Sequence, residues 1–473
     1  MTGREEETKS LLELYERKRA ELVAVYGRRR VGKTYLIDQT FQDRFAFKHT
    51  AISPEELKKE EALAMQLDSF YRSLIKFGLS KKESRPKNWF DAFDLLEKLL
   101  IAKGSEERQV VFLDEFPWLD VDGSHFIKSF ERFWNDFGCS RNNLMLIVCG
   151  SATSWLLNKL INNRAGLYGR TTYELKVSPL SLKQCEEVLK ENGNELSRYD
   201  IATAHMCLGG IPFYLNYLRK DLTLAQNIDA IFFGKEAKLR FEFDRLFQSC
   251  FDHPELIKKI VVLLGKRKFG YLRIEIAEKL GVSEGGDLTK MLNALESSDI
   301  IEKYVPFGAG SKLTRYKLVD PFCLFCLHFA DDRSKARFWS LNLDSQKTTV
   351  WKGLAFENVC FAHVEQIKEA LRAGDVYAEA SPYYDKEDGH QVDLVLKRKD
   401  NVINLCEIKF YSSEFIVSKE YSLKVNERKN HVAEISPKKW AVRNVLISTY
   451  GLKKNEYSST FVNSLTLDDL FIF

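Results

Sequence analysis

The chain has 473 residues, too many for one ordinary core and enough for roughly three domains. Hydrophobic residues make up 45% and charged residues 29%, the profile of a soluble globular protein. With 71 basic and 67 acidic residues the net charge is only +4, so bulk charge does not mark a nucleic-acid binder, and local patches alone could. No apolar run reaches membrane-spanning length and no signal-peptide pattern opens the chain, so the expectation is a cytoplasmic protein with no membrane partner. Nine cysteines stand singly in apolar contexts and read as reduced thiols. Cys323 and Cys326, inside PFCLFCLHF, read as buried cysteines rather than metal ligands.

The chain opens on a polar helical pattern, GREEETKSLLELYERKRAEL. An apolar strand, Leu22–Tyr26, then runs into GRRRVGKT and a second helical pattern, the strand–loop–helix context that a phosphate-binding loop requires. Gly27 and Gly32 let the backbone curl, so that the amides of Arg28, Arg29, Arg30 and Val31 converge on phosphate oxygens. Lys33 reaches the β- and γ-phosphates of ATP, and the Thr34 hydroxyl is placed to ligate Mg²⁺. A second buried strand, Gln109–Leu113, ends in Asp114–Glu115. Asp114 is expected to hold magnesium through water, and Glu115 to polarise the attacking water. A third strand, Leu144–Cys149, ends in Gly150–Ser151, and RAGLYGR follows with Arg164 and Arg170. An arginine aimed at the γ-phosphate would neutralise transition-state charge, in cis or from a neighbouring subunit of a homo-oligomer.

The ordered motifs GREEE, GRRRVGKT, VVFLDE, CGSATSW, LYGR, SPLS and LGGIPFYL resemble the archaeal-type ATPase family of the AAA/STAND lineage over about the first 250 residues. The resemblance implies a P-loop core with a parallel sheet and a helical lid. It implies that Ser151 senses the γ-phosphate and that Arg170 is the catalytic arginine. It also implies that Gly3, Arg4 and Glu5 lie against the adenine, and that Gly210 and Pro212 contact nucleotide from the lid. Only two residues precede Gly3 here, fewer than relatives usually carry.

From about Leu180 to Phe247 the pattern is helical and fits a lid packed on the P-loop core. Three amphipathic helices and two strands joined through Gly308–Gly310 follow, the pattern of a winged helix-turn-helix. Its second helix carries Glu284, Asp287, Glu296 and Asp299 against Lys290, a poor match for a DNA groove. The wing (Lys303, Lys312, Arg315, Lys317) and the Lys266–Lys268 corner suit phosphates better. A docking or regulatory role is favoured over sequence reading.

In the last third, Trp351–Leu371 reads as one amphipathic helix, with Glu357 a turn after Gly353. The strands Gln391–Leu396 and Val402–Lys409 read as a hairpin that sets Asp393 opposite Glu407, with Lys409 on their face. Asp393 and Glu407 would bind Mg²⁺ with the Ile408 carbonyl, Lys409 would act on the water, and Glu357 would assist. The spacing resembles the PD-(D/E)xK nuclease fold, and carboxylates buried among Val, Leu and Ile need a cation or a salt bridge. Lys424, Arg428 and Lys429 form a following basic stretch, either tracking a nucleic-acid backbone or solvated.

The expected architecture is α/β: a P-loop ATPase core (1–178), a helical lid (179–250), a winged helix-turn-helix (251–335) and a restriction-endonuclease-like α/β domain (336–473). The leading expectation is an ATPase controlling a nuclease-like domain on nucleic acid. A STAND-type regulatory switch with a non-catalytic C-terminal domain competes with it, and a winged-helix DNA-binding regulator stands third.

Overall fold

The computed structural model describes all residues except 1, 54–56, 152, 162–165, 168, 249–250, 252 and 386–388. The chain forms two compact units, Met1–Ser178 and Pro179–Phe473.

The first unit is built on five parallel strands: β1 (Glu21–Tyr26), β2 (Phe45–Thr50), β3 (Gln109–Asp114), β4 (Leu144–Gly150) and β5 (Tyr173–Lys176). Their order is β2-β3-β4-β1-β5. Both faces of β3 and β4 are buried, as their uninterrupted apolar runs require. The abundance of phenylalanine is used beside the sheet. Trp89 and Phe93 of the helix Trp89–Ala102 meet Phe126, Phe130 and Phe133, with centroids 4.9 Å apart for Trp89–Phe126 and 5.2 Å for Phe93–Phe133. Such edge and offset contacts stabilise a core beyond the area they bury.

The second unit holds two sheets. A small antiparallel one, β6 (Tyr271–Leu272), β7 (Ile301–Tyr304) and β8 (Arg315–Leu318), runs in the order β6-β8-β7 beside the helices Pro254–Leu264, Arg273–Leu280 and Gly286–Ser297. The short β6 is an addition to the two strands the sequence shows. A five-stranded sheet follows, with β9 (Ala378–Tyr384), β10 (Gln391–Arg398), β11 (Val402–Lys409), β12 (Ala441–Ser448) and β13 (Asn463–Leu465) in the order β13-β12-β11-β10-β9. Its first three strands are antiparallel neighbours and its last two join in parallel.

The helices between Leu182 and Leu208, expected as a lid on the P-loop core, belong to the second unit. There Tyr199 stacks on Phe410 at 4.8 Å, and the Leu182 amide donates to His363 Nε2 at 3.0 Å. The expected helix Trp351–Leu371 is two helices, Gln346–Ala362 and Val364–Ala370. The break falls at His363, whose backbone leaves the helical region (φ −116°, ψ 33°) while its ring accepts that amide. Tertiary contact overrides the local pattern at this point.

Candidate nucleotide site and C-terminal charge cluster

The loop expected to bind phosphate takes its shape from two glycines that act differently. Gly27 has φ +143°, and a Cβ there would lie 2.2 Å from the Val177 carbonyl oxygen. Gly32 has φ +93° with open space around it, so conformation alone selects glycine. Gly32 caps the helix Lys33–Phe41, whose first amides face the loop. Arg28 and Val31 are buried, while Arg29 and Arg30 are half-buried. The buried Lys33 ammonium donates to the carbonyls of Gly27 (2.9 Å) and Arg28 (3.1 Å), which holds it over the loop.

Thr34 Oγ1 donates to Asp114 Oδ2 at 3.0 Å, joining the loop to the end of β3 across 80 residues of chain. Burial, and then the Glu115 charge, raise the Asp114 pKa above the usual carboxylate range, the tension a bound cation would relieve. Glu115 adopts a left-handed backbone (φ 48°), turning the chain so that Phe116 packs against Phe126 (5.0 Å) and Phe130 (4.9 Å). Gly150 is required beside it, because a Cβ there would meet Pro117 Cδ at 2.5 Å. That close approach brings Ser151 to Glu115, whose Oε2 accepts from the Ser151 hydroxyl (3.2 Å) and amide (3.4 Å). Lys33, Thr34, Asp114, Glu115 and Ser151 therefore share one end of the parallel sheet. These residues fit a nucleotide with Mg²⁺: a caged ammonium, a hydroxyl and a buried carboxylate stand together at a helix N-terminus.

Arg4 is the residue for which the resemblance implies an adenine contact. It is buried, and its guanidinium donates to the carbonyls of Val31 (3.1 Å) and Ser178 (2.7 Å) while pairing with Glu7 (2.8 Å). It braces the phosphate loop from behind. Gly3, at φ +72°, donates to Glu5 Oε1. Arg170 is exposed, and no hydrogen bond or ion pair among the described residues joins it to the site. Arg164 lies outside the described residues. Gly210 and Pro212 are in the second unit, where Gly210 closes on the Leu180 carbonyl and Pro212 opens the short helix Pro212–Leu215.

Residues 1–218 match the model of a family described as an ATPase domain predominantly from Archaea. The match runs past the unit boundary through Gly210 and Pro212. An uncharacterized protein of Methanocaldococcus jannaschii is 27% identical over 415 residues, covering 86% of this chain and 87% of the relative. Among solved structures, the Walker-type ATPase of Pyrococcus abyssi aligns with a TM-score of 0.47 at 21% identity, covering 69% of this chain and 96% of that one. The Aeropyrum pernix ORC2 protein, solved with ADPNP and ADP, aligns with a TM-score of 0.41 at 13% identity, covering 71% and 94%. Residues 1–218 are thus similar to an archaeal-type ATPase domain, and the first unit has an α/β fold with a parallel sheet. Among the described residues no helix is long and apolar enough to cross a membrane.

In the C-terminal sheet, Leu394 pairs with Cys406 and Val395 with Leu405, the register that sets Asp393 opposite Glu407. The pairing of β10 with β9 is irregular between Val392 and Val395, around Asp393. The two acids nevertheless serve different partners. Asp393 Oδ2 accepts the Ile408 amide (3.2 Å), so Ile408 offers its N–H to the acid, where the sequence reading expects its carbonyl on a metal. Asp393 Oδ1 and both Glu357 oxygens take the Lys268 ammonium, at 3.1, 2.9 and 2.7 Å. Glu407 pairs with Arg428 (2.7 Å), accepts from Tyr421 (2.7 Å), and has Lys409 at 3.8 Å. No group of three or more His, Cys, Asp or Glu among the described residues is arranged to hold a metal ion. The acids as placed do not fit the expected Asp393–Glu407 metal pair, because ammonium and guanidinium groups already neutralise them.

Two expectations change accordingly. Lys268 meets carboxylates of its own chain, so it is not a free phosphate contact of a basic corner. Arg428 lies mostly buried on the helix Lys419–Ile435 and closes onto Glu407. Sequence reading passed over Tyr421, and its helix position facing β11 carries no local signal. Burial, then Asp393, push the Glu357 pKa up to about 7. Burial also works against the charge on Asp393, but Lys268 and Lys409 outweigh it and hold that carboxyl below its ordinary value. The segment expected to form a wing is likewise engaged: the Phe307 amide donates to the Pro382 carbonyl (3.1 Å), and its ring packs on Tyr383. Lys317 is buried under the Phe361 ring at 3.7 Å and pairs with Glu302.

Proposed function

We propose that the protein is an ATPase whose nucleotide state controls its C-terminal unit, a winged-helix module docked on a PD-(D/E)xK-like domain directed at nucleic acid. The observation that carries the ATPase part is the contact of Thr34 with Asp114, next to that of Ser151 with Glu115. Lys33 would leave its two carbonyls to hold the β- and γ-phosphates, with the loop amides around them. Mg²⁺, when bound to Thr34 and through water to Asp114, would supply neutralisation of phosphate charge. Glu115 would orient the attacking water and accept its proton, and Ser151 would fix that carboxylate and read the γ-phosphate. Arg170, exposed as it is, suits an arginine supplied to a neighbouring copy.

For the C-terminal unit the support is the hairpin register and the helix-borne Glu357 beside it. A specific observation favours a second reading, the regulatory switch with a non-catalytic domain: Glu357, Asp393 and Glu407 are each paired with a basic side chain. The docked wing argues against the DNA-binding regulator. Two assays separate these readings. Lys33→Ala should abolish ATP binding, whereas Glu115→Gln should keep it and lower the hydrolysis rate by about 10²-fold or more; hydrolysis at the parent rate in Glu115→Gln would refute the site. Magnesium-dependent cleavage of plasmid or single-stranded DNA that Asp393→Ala removes selects the nuclease, and no cleavage with any nucleotide selects the switch.

A further inference from the structure

Lys268 belongs to the turn between the helix Pro254–Leu264 and β6, yet its ammonium lies within hydrogen-bond distance of Glu357 on the helix Gln346–Ala362 and of Asp393 on β10. We propose that Lys268 is a built-in counter-ion that closes the Glu357–Asp393 pair to a divalent cation, and that withdrawal of the 266–270 turn opens it. The inference rests on the nuclease-like reading of the C-terminal domain.

The turn is shaped for this task. Gly270 has φ +59°, and a Cβ there would stand 1.9 Å from the Tyr316 carbonyl oxygen, so only glycine lets the turn lie this close to β8. The Tyr304 hydroxyl donates to the Phe269 carbonyl at 2.8 Å, and the Phe269 ring stacks on Tyr384 of β9 at 5.2 Å. Lys268 is thereby held at the acids by the packing of Phe269 and Gly270, which follow it. Its ammonium sits where a cation shared by the two carboxylates must sit, and a second positive centre a few ångströms away is repelled in this buried setting. A cavity of about 500 Å³, lined in part by Lys266, Lys268, Lys317, Trp351, Glu357 and Asp393, adjoins the cluster and gives the side chain room to withdraw. Glu407 is outside this lock, since Arg428 and Tyr421 hold it separately. The Phe307 amide, donating to the Pro382 carbonyl at 3.1 Å, is a further contact of the same module with β9.

The test is Mn²⁺ titration of the full chain without nucleotide, followed by electron paramagnetic resonance, in the parent, Lys268→Met, Lys268→Arg and Lys268→Met/Asp393→Asn. Lys268→Met should bind Mn²⁺ roughly tenfold or more tightly than the parent at a site that Asp393→Asn removes, with Lys268→Arg resembling the parent. An Asp393-dependent site of equal affinity in the parent overturns the counter-ion and leaves the metal-binding reading standing. No Asp393-dependent Mn²⁺ in any variant overturns both. Should Lys268→Met fail to fold, residue-resolved amine acetylation of the parent decides: Lys268 should be protected without metal and labelled faster with Mn²⁺, and equal labelling overturns the proposal.

Discussion

Replacing each loop glycine by alanine separates two physical demands on the same motif. At Gly32 a Cβ meets nothing within 4 Å, so Gly32→Ala adds only the strain of a left-handed residue, about 1–2 kcal/mol. The fold should survive and nucleotide affinity should fall by about 5–30-fold, as the strained loop loses its convergent amides. At Gly27 the new Cβ would stand 2.2 Å from the Val177 oxygen, in a backbone whose amide donates to Tyr26 at 2.8 Å. Real Cβ contacts do not fall under 3.0 Å, so β1 and β5 must part by about 0.8 Å or more. Backbone strain, overpacking and a weakened strand hydrogen bond together cost about 3–6 kcal/mol. That is a large share of a domain's stability. Urea unfolding paired with titration of a fluorescent ATP analogue reads both variants. Gly27→Ala with parental stability and affinity would refute the steric reasoning, and Gly32→Ala more unstable than Gly27→Ala would refute the division of roles.

Two further outcomes follow from buried charge in the second unit. His363 donates from Nδ1 to the Val359 carbonyl and accepts the Leu182 amide at Nε2, so burial holds it neutral with a pKa lowered to about 4; burial, then His363, take His205 to about 3. The unfolded chain takes up these protons near pH 6.5 and the fold does not. Stability is therefore complete above that pH and falls as pH drops towards 4, by about 1.4 kcal/mol per pH unit for each histidine. Urea midpoints at pH 7.5 and 5.0 should differ, less so in His363→Gln, and a flat profile would contradict the assignment. Arg428→Ala should leave Glu407 buried with only Tyr421 and the more distant Lys409, lowering stability by about 3 kcal/mol in the same assay. Recovery in Arg428→Ala/Glu407→Gln checks that the loss comes from the stranded carboxylate.

The sequence by itself determined what is local. An apolar strand, a glycine-bounded loop and a helix start are contiguous, so the strand–loop–helix run through Gly27 and Gly32 could be read without any tertiary knowledge. The β10–β11 register was equally legible, because a short turn fixes which residues face each other. Tertiary structure decided what depends on distant approach. Placing β4 between β1 and β3 sets Ser151 beside Glu115, and strand order is not written in any one strand. Lys268 meets Glu357 across 89 residues and Asp393 across 125. A basic turn shows the same local pattern whether it faces phosphate, solvent or its own chain. Only the docking of the module selects the partner, because a buried carboxylate takes whichever cation the fold brings within reach.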